Sequence, residues 1–461
     1  MIRSKFPSTL KHVKPILSTE RTRFALHVQQ RSVSSTRGVL NASSHWLKYA
    51  LGWSLFGSFG TYTYLKYTTP NKRVVVIKDG PTPTSQLEND STPSGLLSKT
   101  AVDKRLRNNE TAFSFPGKKH ISQIEINQLA SNDPIEDHHQ EVISEDQKYF
   151  LLGVFDGHSG PQCSNRLSRE LLPRLKDSLF PLLRAKATEE KVNEAIDKTF
   201  VQLDEEIVKG ALEKMVQDPE KAVARYLPEA LSGSCALVAC LDTENGEIHV
   251  ACTGDSRALL GRRSASGTFE AVPLSIDQTA KNEKERQRML QEHPGEEETV
   301  LVRNRILGSL APTRALGDSR YKWDIKVQAL IQSTLLPNVR GPPRNYLSPP
   351  YVTAKPEIMH HQIAEGDEFL VLATDGLWDE LTNDEVVNYV GEYLSHHQSS
   401  SSSGPQIGED SSVKDSNVAT HLIRSALGGK DENRVAKLLT IPAPYSRRFR
   451  DDITVTVVFL K

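Results

Sequence analysis

Four acid-containing dipeptides border the most apolar segments of this chain of 461 residues. Two segments end in Asp-Gly, one is preceded by Asp-Asp and one is followed by Glu-Asp: Tyr149–Phe155 with Asp156-Gly157, Phe369–Ala373 with Asp375-Gly376, Ile453–Leu460 with Asp451-Asp452, and Ile121–Leu129 with Glu136-Asp137. Short apolar segments of this kind are typical of buried β-strands. At the edge of an antiparallel sheet, the end of one strand lies beside the start of its neighbour. We therefore expect carboxylates far apart in the sequence to meet at one edge.

Such a concentration of carboxylates restricts the chemistry of the site, because several carboxylates close together cannot all stay ionised without cations. Oxygen ligands without a cluster of cysteines or histidines favour Mg²⁺ or Mn²⁺ over Zn²⁺. Two such ions about 4 Å apart can share a hydroxide and hold a phosphoryl group for in-line attack. One Asp-Gly pair alone is more simply an ordinary turn, whereas the full set predicts a site with two metal ions.

The segments between the acidic dipeptides predict the fold class. Asp242–Gly246 joins two strand-like segments and is a hairpin signal. Helical patterns occur at Ser164–Leu175, Glu189–Leu212, Asn383–Leu394 and Asn417–Leu427. Because the strands run in hairpins and the helices come in pairs between them, we predict an α+β sandwich of antiparallel strands. A doubly wound parallel sheet is not expected.

The formal net charge of −1 combines a basic N-terminal part with an acidic body. Residues 1–70 contain ten Lys or Arg and one acid, whereas the rest of the chain contains 47 bases and 57 acids. This distribution argues against a general nucleic-acid-binding protein. Residues 1–45 are rich in Arg and Ser and almost free of acids, which is typical of a mitochondrial presequence. A disordered basic tail is the alternative interpretation.

Three further segments have distinctive compositions. Residues 46–67 include the uncharged stretch Tyr49–Leu65 with aromatic residues at both ends, which predicts a transmembrane helix and membrane association. A continuation of the presequence or a peripheral amphipathic segment is the alternative. Residues 68–118 are rich in Pro, Thr, Ser and Asn and predict a disordered linker. Residues 119–461 are predicted to form one folded domain, with the Ser-rich stretch 396–416 as a surface insertion.

The whole body resembles the metal-dependent serine/threonine protein phosphatases of type 2C. The matching stretches occur in the order of the family: PIED (134–137), FDGHSG (155–160), SGSCAL (232–237), TGDSRALL (253–260), TRALGD (313–318), KPEI (355–358), ATDGLWD (373–379) and RDDITVTVV (450–458). Each stretch is weak evidence alone, and together they cover residues 120–461. The resemblance implies a central antiparallel β-sandwich flanked by antiparallel helix pairs, with residues 119–461 as the catalytic domain.

The resemblance also implies a role for each matched acid. Asp156 would bridge two ions, Mg²⁺ or Mn²⁺, and act in catalysis through them. Glu136 and the Gly157 carbonyl oxygen would complete the shell of one ion. Asp375 and Asp451 would complete the shell of the other.

Three more residues receive roles from the same resemblance. Asp137 would orient bound water without contacting the metals directly. Asp255 matches a position associated with a third, weaker metal ion. His158 would be the general acid that protonates the leaving serine oxygen, a task that suits a side chain whose pKa lies near neutrality; a structural histidine beside a turn is the alternative.

One position departs from the usual family pattern. Most members carry an Arg four residues before the Glu of the Glu-Asp pair, where it binds the substrate phosphate, whereas this chain carries Asn132. A neutral amide cannot form a bidentate, charge-assisted contact. Either the phosphatase is weakened, or the phosphate-binding position at Asn132 works differently. Asn before Pro-Ile-Glu-Asp is similar to the mitochondrial pyruvate dehydrogenase phosphatase branch, particularly its fungal members.

These observations predict a mitochondrial protein phosphatase that acts on phosphoserine or phosphothreonine, with the pyruvate dehydrogenase complex as its substrate and partner. A catalytically weak pseudophosphatase, or a binding module, is the alternative that Asn132 favours. The predicted transmembrane helix leaves two locations open. Arrest in the inner membrane would place the body in the intermembrane space with another substrate, whereas passage of Tyr49–Leu65 would place it in the matrix with pyruvate dehydrogenase.

Overall fold

Two antiparallel sheets carry the acidic segments on their strand ends. A computed structural model describes residues 92, 95–402 and 415–461, which lie within one compact unit spanning Pro83–Lys461. The strands are β1 Thr111–Ser114, β2 Gln123–Leu129, β3 His138–Ile143, β4 Tyr149–Phe155, β5 Gly157–His158, β6 Gly233–Ser234, β7 Ala236–Asp242, β8 Glu247–Thr253, β9 Arg257–Arg263, β10 Phe269–Pro273, β11 Leu301–Val302, β12 Arg305–Ile306, β13 Leu316–Gly317, β14 Glu357–Gln362, β15 Asp367–Ala373 and β16 Ile453–Phe459.

The helices pack on the outer faces of these sheets. They are α1 Lys99–Arg107, α2 Gln162–Arg184, α3 Glu189–Gln217, α4 Pro219–Lys221, α5 Leu227–Leu231, α6 Glu283–Glu292, α7 Ile325–Thr334, α8 Asp375–Trp378, α9 Asn383–Ser402, α10 Val418–Ala426 and α11 Glu432–Thr440. All four predicted long helices are present, and α10 begins after the N-cap Asn417, whose side chain accepts a hydrogen bond from the Thr420 N–H.

One sheet has the strand order β1-β2-β16-β15-β9-β10, and the other has the order β14-β8-β7-β4-β3. Every pair of neighbouring strands in both sheets is antiparallel. Apolar side chains from both sheets, among them Ile126, Leu152 and Leu370, form the core between them. The outer faces pack against α2 and α3 on one side and against α9 and α10 on the other. The predicted α+β sandwich flanked by helix pairs is confirmed.

The register of the strands brings the acidic segments to one edge. Leu129 at the end of β2 is opposite Ile453 at the start of β16, and Ala373 at the end of β15 is opposite Val455. In the second sheet, Phe155 at the end of β4 is opposite His138 at the start of β3. The loops that carry the acids therefore leave both sheets on the same side of the sandwich.

The predicted linker 68–118 is wrong for its C-terminal part. Residues 99–107 form α1, which begins after the N-cap Ser98 and buries Val102 and Leu106 against the sheet of β2. Residues 111–114 form β1 and pair with β2. The composition is polar overall, but Val102 and Leu106 stand four positions apart on one face of the helix, with Ala101 buried beside them, and this spacing is the helical signal in the sequence.

The predicted insertion 396–416 is also partly wrong, because α9 continues to Ser402 and Asp415 is buried in an ion pair with Arg424. The predicted presequence 1–45 and transmembrane helix 46–67 lie outside the described residues. Among the residues that the structure describes, no helix is both long and apolar enough to cross a membrane.

Candidate active site

Both Asp-Gly dipeptides lie where two backbones approach too closely for a side chain. A Cβ atom on Gly157 would collide with the Glu136 carbonyl oxygen, and one on Gly376 would collide with the Asp452 carbonyl oxygen. The glycines therefore allow the strand ends of β4 and β15 to pack directly against the other acidic loops. This requirement for space explains why the same dipeptide follows two strands that belong to different sheets.

The carboxylates that follow β4, β8 and β15 form one buried cluster. Burial, followed by repulsion from Asp375 and other nearby carboxylates, raises the pKa of Asp156 well above its usual value. Burial and repulsion from Asp255 and Asp451 likewise raise the pKa of Asp375. One ligand atom each from Asp156, Asp255 and Cys235 lies within 4.8 Å of the others.

Asp137 is buried beside this cluster and is held by two hydroxyl groups. Its Oδ2 accepts hydrogen bonds from Thr374 Oγ1 at 2.8 Å and Thr454 Oγ1 at 2.7 Å. Burial and repulsion from Asp452 raise the pKa of Asp137 well above its usual value. Thr374 directly precedes Asp375 and Thr454 lies two residues after Asp452, so Asp137 connects the end of β15 to the start of β16.

Asp452 organises the loop that carries Glu136, although sequence analysis gave it no role. Its Oδ2 accepts hydrogen bonds from the Glu136 N–H at 2.8 Å and from Asn132 Nδ2 at 3.0 Å. Its Oδ1 accepts hydrogen bonds from the N–H groups of Ser131 and Asn132. Asn132 Nδ2 also lies 3.4 Å from Glu136 Oε2. The Asn132 amide thus contacts two carboxylates. Of the Asp-Asp pair, Asp451 belongs to the cluster and Asp452 holds the loop.

His158 faces Asp318, a partner that sequence analysis also missed. His158 Nε2 lies 2.7 Å from Asp318 Oδ2, and the side chain of Asp318 is buried. Burial lowers the pKa of His158, but the charge of Asp318 and its hydrogen bond outweigh burial and raise that pKa overall. Asp318 closes the TRALGD stretch, so its position at the end of a matched motif was the available signal.

Several arginines surround the cluster, and they differ in their partners. Arg257 pairs with Asp277 at 2.6 Å and Arg314 pairs with the buried Glu285, so both form ion pairs within the fold. Arg447, in contrast, reaches the cluster itself: its Nη1 lies 2.8 Å from Asp451 Oδ2, and its side chain is about half exposed. Burial raises the pKa of Asp451, and the Arg447 charge partly offsets this rise.

The carboxylate oxygen atoms of this cluster are suitable ligands for divalent cations. Asp156 and Asp375 form no salt bridge with a basic side chain in the part of the chain that the structure describes. Buried carboxylates without a counter-charge are costly, and cations that bind oxygen ligands relieve the repulsion. The arrangement can therefore concentrate positive charge at the mouth of the sandwich, where a phosphate group would enter.

Comparison with known proteins agrees with this geometry. The sequence profile of the family described as Protein phosphatase 2C matches residues 122–435. This chain belongs to the protein phosphatase 2C family. It is 39% identical to a protein phosphatase 2C homolog of Schizosaccharomyces pombe, over 78% of this chain and 84% of that protein. It is 36% identical to the mitochondrial [pyruvate dehydrogenase [acetyl-transferring]]-phosphatase 1 of Saccharomyces cerevisiae, over 79% of this chain and 73% of that one. For the human protein of the same name the identity is 35%, with coverage of 80% and 84%.

Family membership identifies the chain as a metal-dependent serine/threonine protein phosphatase, similar to the pyruvate dehydrogenase phosphatases. The cluster contains five of the six acids that the sequence predicts for the metal site, and their roles as metal ligands stay predictions. The structure brings Asp156, Asp375, Asp451, Asp255 and Asp137 close enough to raise one another's pKa values. Glu136 lies on the loop at the edge of the cluster, where burial raises its pKa.

We predict that Asp452→Asn weakens metal binding without unfolding the protein. In either orientation, the new amide directs an NH₂ group at two hydrogen-bond donors, so the Ser131–Glu136 loop loses its hold on Glu136. Loss of such an orienting contact lowers metal affinity by about tenfold or more. Titration calorimetry with Mn²⁺ measures the change.

The control for this prediction is Asp431→Asn, which alters an N-cap aspartate whose Oδ1 accepts a hydrogen bond from the Arg434 N–H at 2.9 Å, on another part of the fold. Its Mn²⁺ affinity should equal that of the unmodified protein. Equal affinities for all three proteins would contradict the role assigned to Asp452.

Proposed function

We propose that this protein is a mitochondrial phosphatase that uses Mg²⁺ or Mn²⁺ to remove phosphate from phosphoserine or phosphothreonine, with the pyruvate dehydrogenase complex as its substrate. The observation that carries the proposal is the buried carboxylate cluster at the edge of the sandwich, where Asp156 and Asp375 lie near other carboxylates and form no ion pair with a basic side chain of the described residues. The names of the similar yeast and human proteins support the substrate and the compartment.

The residues of the cluster divide into two groups of ligands. Glu136, the Gly157 carbonyl oxygen and Asp156 would hold one ion, while Asp156, Asp375 and Asp451 would hold the second. Asp255 would contribute to a third position, and Asp137 would orient water from beside the cluster. When bound, the ions would supply charge neutralisation of the phosphate and an activated water nucleophile.

His158 is placed to complete the reaction by donating a proton. Because Nε2 is engaged by Asp318, Nδ1 is the nitrogen that can donate to the leaving serine or threonine oxygen. The buried carboxylate of Asp318 stabilises the protonated imidazole and fixes its orientation. A protonated donor avoids the expulsion of a poorly stabilised alkoxide.

Arg447 supplies the positive charge that Asn132 lacks. Its guanidinium contacts Asp451. Burial raises the pKa of Glu136, and the charge of Arg447 lowers that pKa slightly. The guanidinium therefore lies beside ligands of both proposed ions. Ser446 Oγ donates a hydrogen bond to the Ser131 carbonyl oxygen at 2.6 Å, which ties the Tyr445–Arg448 turn to the Asn132 loop. An exposed guanidinium held at this point can bind the phosphate oxygens in place of an arginine at position 132.

We predict that Asp156→Asn abolishes phosphate release from a phosphopeptide with Mn²⁺, by at least about 100-fold. The same change should raise the melting temperature of the metal-free protein, because it removes one charge from a crowded, buried cluster. Phosphate assays and thermal unfolding measure the two effects.

Asp197→Asn is the matched control, since Asp197 forms an ion pair with Lys355 at 3.3 Å that is largely exposed on the Lys355 side. It should keep its activity. Activity retained by Asp156→Asn would overturn the proposed mechanism, and Mn²⁺ binding by the unmodified protein without phosphate release would favour a pseudophosphatase.

We predict that Arg447→Ala raises KM for a phosphopeptide and the inhibition constant of orthophosphate, with a smaller change in kcat. A lost charge-assisted hydrogen bond corresponds to a change of about tenfold to a hundredfold. The neighbouring Arg448→Ala is the control, because Arg448 is exposed and should affect both constants less than about twofold.

Mn²⁺ titration of the same variants separates phosphate binding from metal binding. If Arg447 serves only to hold Asp451, its removal changes the Mn²⁺ affinity and leaves the orthophosphate inhibition constant unchanged. Equal effects of the two alanine substitutions would also contradict the proposal.

We predict that the catalytic body faces the matrix, because pyruvate dehydrogenase lies there. In isolated mitochondria and in mitoplasts, added protease should leave the body intact until detergent is present. Digestion in mitoplasts alone would instead place it in the intermembrane space and exclude this substrate. A known matrix protein and a known intermembrane-space protein, probed in the same samples, serve as controls.

A further inference from the structure

A second cluster of metal-binding side chains lies on the outer face of the β14-β8-β7-β4-β3 sheet. His249 on β8 is directly opposite His360 on the edge strand β14. Glu247 stands two residues before His249 and therefore points to the same side of the sheet. Ala251 and Ile358 continue this side into the core that packs against α2 and α3, so the three side chains lie on the helix-facing surface.

The geometry of this cluster fits a single ion. One ligand atom each from Glu247, His249 and His360 lies within 4.8 Å of the other two. The two imidazole rings have centroids 4.7 Å apart and an interplanar angle of 39°. His249 is only 3% exposed, and its Nδ1 has no hydrogen-bond partner. A buried nitrogen without a partner is rare in folded proteins and calls for a ligand.

The protonation state and charges of the side chains in this cluster favour binding of a cation. Burial, followed by the neighbouring His360, lowers the pKa of His249 to about 4, so its ring is neutral at physiological pH and can donate a lone pair. Glu189, the first residue of α3, brings a second carboxylate to within 3.8 Å of His360 Nδ1. Two imidazoles with one or two carboxylates form a ligand set that Zn²⁺ prefers over Mg²⁺.

We propose that Glu247, His249 and His360 bind a divalent transition-metal ion, Zn²⁺ in particular, with Glu189 as a candidate fourth ligand. Glu247 and Thr253 stand at opposite ends of β8, so about 20 Å separates this cluster from the turn that carries Asp255. The ion would join β8, the edge strand β14 and the start of α3. It would therefore stabilise the edge of the sheet that faces away from the catalytic cluster.

The test is Zn²⁺ binding to the full-length protein in millimolar Mg²⁺, which occupies the catalytic cluster. Competition with a chromophoric chelator gives the stoichiometry, and thermal unfolding gives the accompanying stabilisation. His360→Ala removes an exposed ligand and should bind one Zn²⁺ fewer, with no Zn²⁺-dependent rise in melting temperature and with phosphatase activity retained.

Two further variants make the result specific. His139→Ala removes a histidine on edge strand β3 whose Nδ1 lies 2.8 Å from the carboxylate of Glu141, and this variant should bind Zn²⁺ like the unmodified protein. Asp156→Asn should also keep the second site, because it alters the catalytic cluster alone. Equal Zn²⁺ stoichiometry in the unmodified protein and His360→Ala, or loss of the ion in Asp156→Asn, would overturn the proposal.

Discussion

Electrostatic repulsion among buried carboxylates is the constraint on which the architecture of this protein depends. Acids from five segments that connect different strands crowd into one edge of the sandwich, and burial together with mutual repulsion raises their pKa values. Such a cluster opposes folding unless cations bind it. The apolar cores on both sides of each sheet supply the stability that holds the cluster together. Function here therefore depends on packing that lies well away from the reacting groups.

The contacts behind the cluster show how the acids are kept in position. Asp137 binds the hydroxyl groups of Thr374 and Thr454, and Asp452 binds three N–H groups and the amide of the Asn132 loop. Neither acid needs to contact a metal to matter, because each links two loops that carry proposed ligands. A loop that is free to move by 1 Å would be a poor ligand, so these links supply the required rigidity.

The sequence was sufficient to predict what depends on local pattern. Apolar segments and hairpin signals predicted the strands, and the acids at their ends predicted that carboxylates meet at one edge of the sandwich. It was insufficient for contacts that depend on tertiary packing. His158 and Asp318 are 160 positions apart, and no spacing rule relates them. The burial of α1 was missed for a different reason: its composition is polar, and only one face of the helix carries its buried apolar residues, Ala101, Val102 and Leu106.

A phosphate-binding site requires positive charge at a particular point in space, and residues at different sequence positions can supply that charge. Asn132, which stands where most of the family has an arginine, illustrates this. Asn132 Nδ2 donates to Asp452 and lies near Glu136, whereas the guanidinium of Arg447 occupies the adjacent space beside Asp451. An arginine at position 132 would place a second guanidinium near Glu136, which the charge of Arg447 already reaches, and the two cations would repel each other. The small neutral amide and the arginine on the neighbouring turn are therefore complementary, and the missing arginine need not mean a missing phosphate-binding group.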